Sequence, residues 1–271
     1  MRHGSQWKGV AGAAALVCLG LGLHLASVGH PRSYGDAAAF AESAPPRPVA
    51  SAPPLDRAVA ASLDQMVSEQ IEKRGVKDEL VLAALRRVPR ERFVPERLRA
   101  LAYSDGPLPI GFGQTISQPY IVAMMTELAQ LRGGERVLEI GTGSAYQAAV
   151  LAKIAKEVYT IEIVPALAES AEQRLRELGF ANVHTKNGDG FFGWPEAAPF
   201  DVILITAAAS YVPPPLVQQL KEGGRLILPL GDPHFSHTLT TIRKIEGRLR
   251  STAHASVRFV PMTGHIERAQ Q

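Results

Sequence analysis

The sequence predicts a doubly wound α/β fold, in which helices cover both faces of a mostly parallel sheet. Apolar runs alternate with helical patterns between residues 135 and 220, as expected of strand–helix–strand units. A glycine-rich turn follows the first of these runs, in RVLEIGTGSAYQ at residues 136–147. In addition, three successive strands each end at an acid, namely Glu139, Glu162 and Asp189.

Residues 1–54 are expected to lie outside the globular domain, which we place at 55–271. Two basic residues precede an apolar, glycine-rich run at 9–29, as in a signal peptide or a weak membrane anchor. Residues 42–54, ESAPPRPVASAPP, have the composition of a linker that supplies no core. Membrane contact is therefore expected only through residues 9–29.

The domain is predicted to begin with two helices. The first covers residues 55–74 and ends at Gly75, a residue that suits a helix C-terminus. Asp78 can cap the second helix, which runs to Arg87 because Pro89 stops it.

A long loop is predicted at residues 103–116, which are rich in glycine and proline. Loops of this length inside a compact domain are usually functional or disordered. Ser117 is then expected to cap a helix over residues 119–131. Later helices are predicted at about 145–155, 165–178 and 213–220.

The glycine-rich turn indicates a nucleotide-sized site beyond the carboxyl end of the first strand. Gly141 and Gly143 let the backbone turn sharply and approach a ligand, and Glu139 stands where a cation could be met. An ordinary strand–turn–helix would carry similar glycines. Tyr146 occupies the third glycine position of the dinucleotide fingerprint. The order acid-x-Gly-x-Gly is instead typical of S-adenosylmethionine-dependent methyltransferases.

The next two acids fit the same site. Glu162 ends the second strand at the spacing at which such folds bind a ribose diol. Asp189 lies between two glycines and could accept a hydrogen bond from an adenine amino group. Either acid alone is more often a solvated turn residue. A fourth strand at 200–206 is nearly all apolar, as in the centre of a parallel sheet, and strands at 238–245 and 250–260 form a hairpin on the sheet edge.

Composition excludes some classes of protein. The chain has 271 residues and a net charge of +3, of which residues 1–54 carry +2. A nearly neutral domain gives no electrostatic argument for nucleic-acid binding. Cys18 is the only cysteine, so no intramolecular disulfide or cysteine-rich metal site is expected, and the scattered histidines indicate no metal site.

Several segments together closely resemble the protein-L-isoaspartate O-methyltransferase family, in the order and spacing of that family. They are PLPIGFGQTISQPYIVAMMTELAQL, EIGTGSAYQ, NGDG, PFDVILITAAA, EGGRLILPLG and VRFVPM. The resemblance extends from about Leu55 to the C-terminus, and GQTISQP is its most specific motif. The family usually has G-x-G-x-G where this chain has Ala145 last, and we expect tolerance because alanine is a good helix former.

The resemblance implies a Rossmann-like methyltransferase fold with a C-terminal antiparallel hairpin and added N-terminal helices. It implies methyl transfer from S-adenosylmethionine to the free carboxylate of L-isoaspartyl residues in damaged proteins and peptides. This starts their repair to aspartate through a succinimide.

Site residues are assigned by the match to the family and by the strand-end pattern. Ser117 matches the active-site serine, and its expected role is to orient the substrate carboxylate. It lacks the G-x-S-x-G context of a hydrolase nucleophile, and a plain helix cap is the alternative. The Val260 segment, residues 258–262, is expected to close the peptide side unless it is only an edge strand. Expected on the substrate side are Gln114, Ser117 and Val260, and on the cofactor side Thr115, Ile116, Glu139, Gly141, Thr142, Gly143, Glu162, Gly188 and Asp189.

Three other functions stay open on the sequence alone. A nicotinamide oxidoreductase shares the fold class, but Tyr146 and the lack of a hydride-transfer residue set count against it. A nucleic-acid amino-methyltransferase would carry Asn/Asp-Pro-Pro-aromatic after the fourth strand, and residues 206–215 lack that order. A non-catalytic binding protein is the third. Two cellular locations stay open. The resemblance, and the synthesis of the cofactor in the cytosol, favour the cytoplasm, whereas residues 1–54 favour export or membrane anchoring.

Overall fold

The computed structural model of the protein describes residues 56–232 and 235–268. The apolar run at 9–29 and the linker at 42–54 lie outside these ranges, so their roles and the boundary at 54 stay predictions. Among the described helices, none has both the length and the apolar character needed to cross a membrane.

The strands form two sheets, a small hairpin and a large sheet. The hairpin consists of β1 (Leu108–Gly111) and β2 (Gln114–Ile116). The large sheet contains β3 (Arg136–Ile140), β4 (Glu157–Glu162), β5 (Val183–Asn187), β6 (Phe200–Ile205), β7 (Leu220–Leu230), β8 (His237–Ile245) and β9 (Arg248–Val257). The α-helices are α1 (Arg57–Gln65), α2 (Glu79–Leu85), α3 (Pro119–Ala129), α4 (Tyr146–Ala152), α5 (Pro165–Glu177), α6 (Pro214–Gln219) and α7 (His265–Arg268).

The large sheet has the order β5-β4-β3-β6-β7-β8-β9. The first five strands in this order are parallel, and β8 and β9 add an antiparallel hairpin at the edge. Glu246 and Gly247 make the hairpin turn with φ values of 52° and 70°, as in the tight turns that suit twisted strands. The predicted fold class is therefore confirmed, including its edge hairpin.

The hydrophobic core lies on both faces of the large sheet. In β6, Val202 and Leu204 pack into a cluster with helices on one face, and Ile203 and Ile205 pack into a cluster on the other. Successive side chains of a strand point to opposite faces. A strand buried on both faces therefore reads as a continuous apolar run, as the sequence indicated.

The N-terminal helical region agrees with the prediction in extent but not in regularity. After α1, the chain continues as a π-helical segment, Met66–Ile71, and a 3₁₀ turn, Glu72–Arg74, before Gly75 ends it with φ 101°. The Asp78 side chain accepts hydrogen bonds from the N–H groups of the first turn of α2. That helix ends at Leu85, slightly before the predicted Arg87.

The predicted loop at 103–116 contains the β1–β2 hairpin, and this part of the prediction is wrong. Gly111, Phe112 and Gly113 all adopt positive φ at its tip, with values of 99°, 53° and 72°. The strands have only four and three residues, too few to show the alternation by which strands are recognised.

Candidate active site

The carboxyl ends of β3, β4 and β5 lie side by side. Ile140 of β3 pairs with Ile161 of β4, and Glu162 of β4 pairs with Asn187 of β5. Because these strands are parallel neighbours, the segments that leave them meet at one edge of the sheet. The three acids predicted from the sequence therefore belong to one region of the molecule.

The glycine turn, residues 141–143, connects β3 to β4 through hydrogen bonds donated by its N–H groups. Gly141 has φ 98° and donates its N–H to the Ile161 carbonyl at 2.8 Å. A Cβ atom on Gly141 would lie 2.6 Å from the Thr206 hydroxyl oxygen. Gly143 has φ 52° and donates its N–H to Oε2 of Glu162 at 2.7 Å. Conformation and packing thus both require glycine at position 141.

Ala145 is not part of a helix. It is the N-cap residue of α4, with φ 69° and ψ 9°, and its side chain is fully buried. This left-handed conformation costs an L-residue roughly 1–2 kcal/mol. Helix propensity was therefore the wrong reason to expect that alanine is tolerated at this position. The glycine that is usual in the family would avoid the backbone strain that Ala145 carries.

Glu139 is completely buried. The Thr160 hydroxyl donates to its Oε2 at 2.5 Å, and the Thr142 hydroxyl lies 2.6 Å from that of Thr160. Its Oε1 has no hydrogen-bond partner within residues 56–232 and 235–268. Burial raises the pKa of Glu139 to about 8, the Thr160 hydrogen bond opposes this rise, and the charge of Glu162 adds to it.

Both carboxylate oxygens of Glu162 accept hydrogen bonds from main-chain N–H groups. Oε2 accepts from Gly143 N–H, and Oε1 accepts from Val164 N–H at 2.9 Å. The carboxylate is thereby fixed in direction and is only 5% exposed. Each carboxylate oxygen can accept a second hydrogen bond, so these contacts leave capacity for a diol.

Asp189 is held in a similar way at the end of β5. Its Oδ1 accepts from Phe191 N–H at 2.9 Å, and its Oδ2 accepts from His265 N–H at 2.7 Å. Of the two flanking glycines, only Gly190 is required by packing, since a Cβ there would lie 2.3 Å from Cγ2 of Ile140. Gly188 has open space around its Cα.

Ser117 does not cap α3, so the predicted cap is wrong. The N-cap residue is Gln118, with φ −50° and ψ 139° and no side-chain capping bond. The residue before a proline is disfavoured in the helical region, and Pro119 therefore moves the cap to Gln118. In the described part of the chain, the Ser117 hydroxyl has no hydrogen-bond partner. Its carbonyl accepts from Nη2 of Arg90 at 2.7 Å.

One cavity joins Ser117 to the glycine turn. It is lined from the hairpin and α3 on one side and from the ends of β3 and β6 and the start of α4 on the other. Its lining residues are Thr115, Ile116, Ser117, Val122, Gly141, Thr142, Gly143, Ser144, Tyr146, Gln147 and Thr206. Outside this lining lie the predicted site residues Gln114, Glu139, Glu162, Gly188, Asp189 and Val260.

The segment around Val260 is not an edge strand, because β9 ends at Val257. Ala208 N–H donates to the Val260 carbonyl at 2.8 Å, and Met262 N–H donates to the Ala208 carbonyl at 2.8 Å. The segment thus lies beside the chain that leaves β6, at the same edge of the sheet as the glycine turn.

Two threonines of the site were missed by the sequence reasoning. Thr160 connects Glu139 to Thr142, as described above. The Thr206 hydroxyl donates to the carbonyls of Ile140 and Gly141 at 2.9 and 2.7 Å. The only signal for Thr206 was its place at the end of the fourth strand, and Thr160 lies inside an apolar run with no distinguishing context.

This fold and this site define a class of enzyme, the α/β methyltransferases. A solved protein-L-isoaspartate O-methyltransferase matches with a TM-score of 0.69 and 31% identity, over 78% of this chain and 69% of the other. A putative protein-L-isoaspartate O-methyltransferase from Plasmodium falciparum, solved with S-adenosyl-L-homocysteine, matches with a TM-score of 0.66 and 25% identity. That match covers 74% of this chain and 98% of the other.

Sequence similarity assigns the chain to a family within this class. The model of the protein-L-isoaspartate(D-aspartate) O-methyltransferase family matches residues 61–267. A protein-L-isoaspartate O-methyltransferase 2 of Shewanella sediminis is 57% identical over 73% of this chain and 82% of its own length. A protein-L-isoaspartate O-methyltransferase of Opitutus terrae is 58% identical over 73% and 84%. The chain belongs to the protein-L-isoaspartate O-methyltransferase family and is a methyltransferase enzyme.

Proposed function

We propose that Ser117 orients the free carboxylate of an isoaspartyl residue, while the glycine turn, Glu162 and Asp189 hold S-adenosylmethionine. The activity is that of the family: transfer of a methyl group to L-isoaspartyl residues of damaged proteins. Loss of methanol from the methyl ester then gives a succinimide, and its opening returns part of the residue to aspartate. The observation that carries the assignment is the cavity shared by Ser117 and the glycine turn.

The residues at the strand ends fit the cofactor. Gly141 and Gly143 line the cavity at the end of β3, and Glu162 retains acceptor capacity for two ribose hydroxyls. The proposed cofactor contacts are those expected from the sequence, with Asp189 accepting from the adenine amino group through its remaining lone pairs. S-adenosylmethionine, when bound, supplies an electrophilic methyl group on a sulfonium. The direct contact of Glu139 with the cofactor stays a prediction, since this carboxyl is fully buried.

The chemistry at the substrate side needs orientation more than a base. A substrate carboxylate is already ionised at neutral pH. The Ser117 hydroxyl is free to donate a hydrogen bond to it, and the positive end of the α3 dipole begins two residues later. We assign to Ser117 the role of aligning a carboxylate oxygen for in-line attack, a contribution of position rather than of covalent bonding.

We propose that the hairpin forms one wall of the site and helps to exclude water. Ile110 of β1 lies 3.4 Å from the place that a Cβ on Gly143 would occupy. Thr115 and Ile116 continue this wall to Ser117, and Ile116 is buried. We propose that Gln114 and the Val260 segment contact the peptide on either side of the isoaspartyl residue. A site closed in this way keeps water from competing for the methyl group.

Ser117→Ala tests the proposed role. We expect kcat/KM for an isoaspartyl peptide to fall by about 10- to 100-fold, because one orienting hydrogen bond is lost and the rest of the site survives. The affinity for S-adenosyl-L-homocysteine, measured by calorimetry, should stay unchanged. Labelled cofactor and single-turnover kinetics measure the transfer, and the normal aspartyl peptide is the negative control.

The outcomes separate the alternatives for Ser117. Wild-type kinetics in Ser117→Ala would remove this residue from the site. An acylated or methylated Ser117 in the wild-type enzyme would contradict direct transfer. A parallel Ser62→Ala variant, which removes a hydroxyl bound to the Ala58 carbonyl on α1, controls for loss of a hydroxyl elsewhere.

We further propose that the enzyme acts in the cytoplasm, where S-adenosylmethionine is made. The described residues contain no membrane-spanning helix. Fractionation of cells that express the full chain tests the proposal. Recovery of the activity outside the cytoplasm, or in the membrane fraction, would favour a targeting role for residues 1–54 instead.

A further inference from the structure

Arg90 is a buried cation next to the proposed active site. It begins a 3₁₀ turn, Arg90–Phe93, and is 0% exposed. Within the described residues it forms no ion pair with a carboxylate. A buried charge without a counter-ion is costly unless hydrogen bonds compensate it. The contacts that keep Arg90 buried are therefore candidates for a functional role.

The Arg90 side chain contacts two main-chain carbonyls and one aromatic ring. Nε donates to the Ala102 carbonyl at 2.8 Å, and Nη2 donates to the Ser117 carbonyl at 2.7 Å. The guanidinium carbon lies 4.8 Å from the centre of the Tyr146 ring. Phe93 packs edge-on against the same ring, with 5.5 Å between ring centres.

These contacts connect the two sides of the cavity. Ser117 belongs to the proposed substrate side, whereas Tyr146 begins α4, three residues after Gly143 of the glycine turn. Both residues line the same cavity. The planar fork of arginine can serve two carbonyls and stack on a ring at once, and the point charge of lysine cannot reproduce this geometry.

We propose that Arg90 is a positioning residue for methyl transfer, which fixes the main chain of Ser117 relative to the Tyr146 wall. The inference rests on the proposed role of Ser117. A shift of the order of 1 Å at a reacting group is enough to reduce a rate by about 100-fold. The Ser117 main chain is held at its carbonyl by Arg90, while its hydroxyl stays available for the substrate.

A double-mutant cycle tests the proposal, with Arg90→Lys made both in the wild-type chain and in Ser117→Ala. We expect Arg90→Lys to lower kcat/KM for an isoaspartyl peptide by about 10-fold in the wild-type chain, mainly through kcat. In the Ser117→Ala background the further loss should be less than about 2-fold, because residues that act through one contact are not additive.

Arg225→Lys is the matched control. Nη1 of Arg225 donates to the Ala129 carbonyl at 2.6 Å, so this arginine is bound to the opposite end of α3. Arg225→Lys should leave kcat/KM unchanged both in the wild-type chain and in Ser117→Ala. Thermal unfolding and calorimetry with S-adenosyl-L-homocysteine are measured for every variant to separate a change of kinetics from a loss of folding. If Arg90→Lys does not fold, Arg90→Gln, which keeps an amide donor without a charge, enters the same cycle.

Equal fold-losses from Arg90→Lys in the two backgrounds, or wild-type kinetics, would overturn the role of Arg90 while leaving that of Ser117 intact. Failure of both Arg90 variants to fold would make Arg90 a residue of the core and also overturn the inference. Wild-type kinetics in Ser117→Ala would instead remove the proposed function of Ser117, and the Arg90 inference with it.

Discussion

At the residue scale, Gly141 shows two separate reasons for excluding a side chain. Its φ of 98° strains any L-residue, and a Cβ would lie 2.6 Å from the Thr206 hydroxyl oxygen. Thr206 cannot easily move, because its hydroxyl donates to the carbonyls of Ile140 and Gly141. Gly75 has almost the same φ, 101°, but open space around it.

The comparison of Gly141→Ala with Gly75→Ala separates strain from collision. Gly75→Ala should lower the free energy of unfolding by roughly 1–2 kcal/mol, the cost of the left-handed conformation. Gly141→Ala should cost about 1–3 kcal/mol more, because overpacking is added, and should weaken cofactor binding. Urea unfolding and calorimetry measure the two effects. Equal stability of the two variants would contradict the collision.

Glu139 gives the stability of the protein a dependence on pH. Burial raises the pKa of this carboxyl from 4.5 to about 8, and the nearby charge of Glu162 adds to the rise. Between these two values the native state holds a proton that the unfolded state has lost. The contribution of Glu139 to stability is therefore complete below about pH 4.5 and is lost as the pH rises through about 8.

We expect the free energy of unfolding of the wild-type protein to fall more steeply between about pH 4.5 and 8 than that of Glu139→Gln. The glutamine keeps the size of the side chain and an acceptor for Thr160 but does not titrate. Urea titrations of both proteins at several pH values measure the difference. Parallel profiles would show that Glu139 has the same pKa in the native and unfolded states.

At the scale of elements, the N-terminus of α2 is held by two acids, its own cap residue Asp78 and Glu127 of α3. Asp78 Oδ1 accepts from Leu80 N–H at 3.0 Å, and its Oδ2 accepts from Nη1 of Arg132 at 2.7 Å. Glu127 of α3 accepts from the N–H groups of Lys77 and Asp78 at 2.7 and 2.9 Å. The start of α2 is thus fixed against α3, the helix that follows Ser117.

Asp78→Ala should lower the free energy of unfolding by about 0.5–2 kcal/mol, because the helix loses its cap. Asp78→Asn, which retains an oxygen acceptor and loses only the charge paired with Arg132, should cost less. Chemical unfolding monitored by circular dichroism measures both variants. Equal losses in Asp78→Asn and Asp78→Ala would show that the ion pair with Arg132, which both variants lack, holds α2 rather than the cap.

At the scale of the whole molecule, we propose that residues 55–271 fold and act without residues 1–54. The family model begins at residue 61, within α1. The chain from 55 onward should keep the melting temperature and turnover of the full chain, since a Pro- and Ala-rich linker supplies no core. A chain that begins at residue 76 is the control. It lacks Leu63, Met66 and Ile71, which are fully or almost fully buried, and should be destabilised by several kcal/mol.

Thermal unfolding and methyl-transfer assays of the three chains decide the domain boundary. A large loss of stability or activity on removal of residues 1–54 would show that this segment packs on the domain. A chain from residue 76 with full stability would show instead that the first helical region contributes little to the core.

The sequence by itself determined the fold class, the glycine turn and the three acids at the strand ends. These features depend on local patterns: apolar runs for strands buried on both faces, and glycines where the chain reverses. Parallel neighbours bring their carboxyl ends together, so the same patterns also predicted the place of the proposed site. The family followed from motifs such as GQTISQP, and the comparisons confirmed it.

Only the tertiary structure decided how individual side chains are used, because those uses depend on contacts between distant parts of the chain. Arg90 resembles any surface arginine in sequence, but it is buried between the Ala102 and Ser117 carbonyls. Ser117 keeps its hydroxyl free because Pro119 moves the cap of α3 to Gln118. Ala145 is left-handed because the turn before α4 fixes its backbone, and that geometry overrides the helix propensity of the residue.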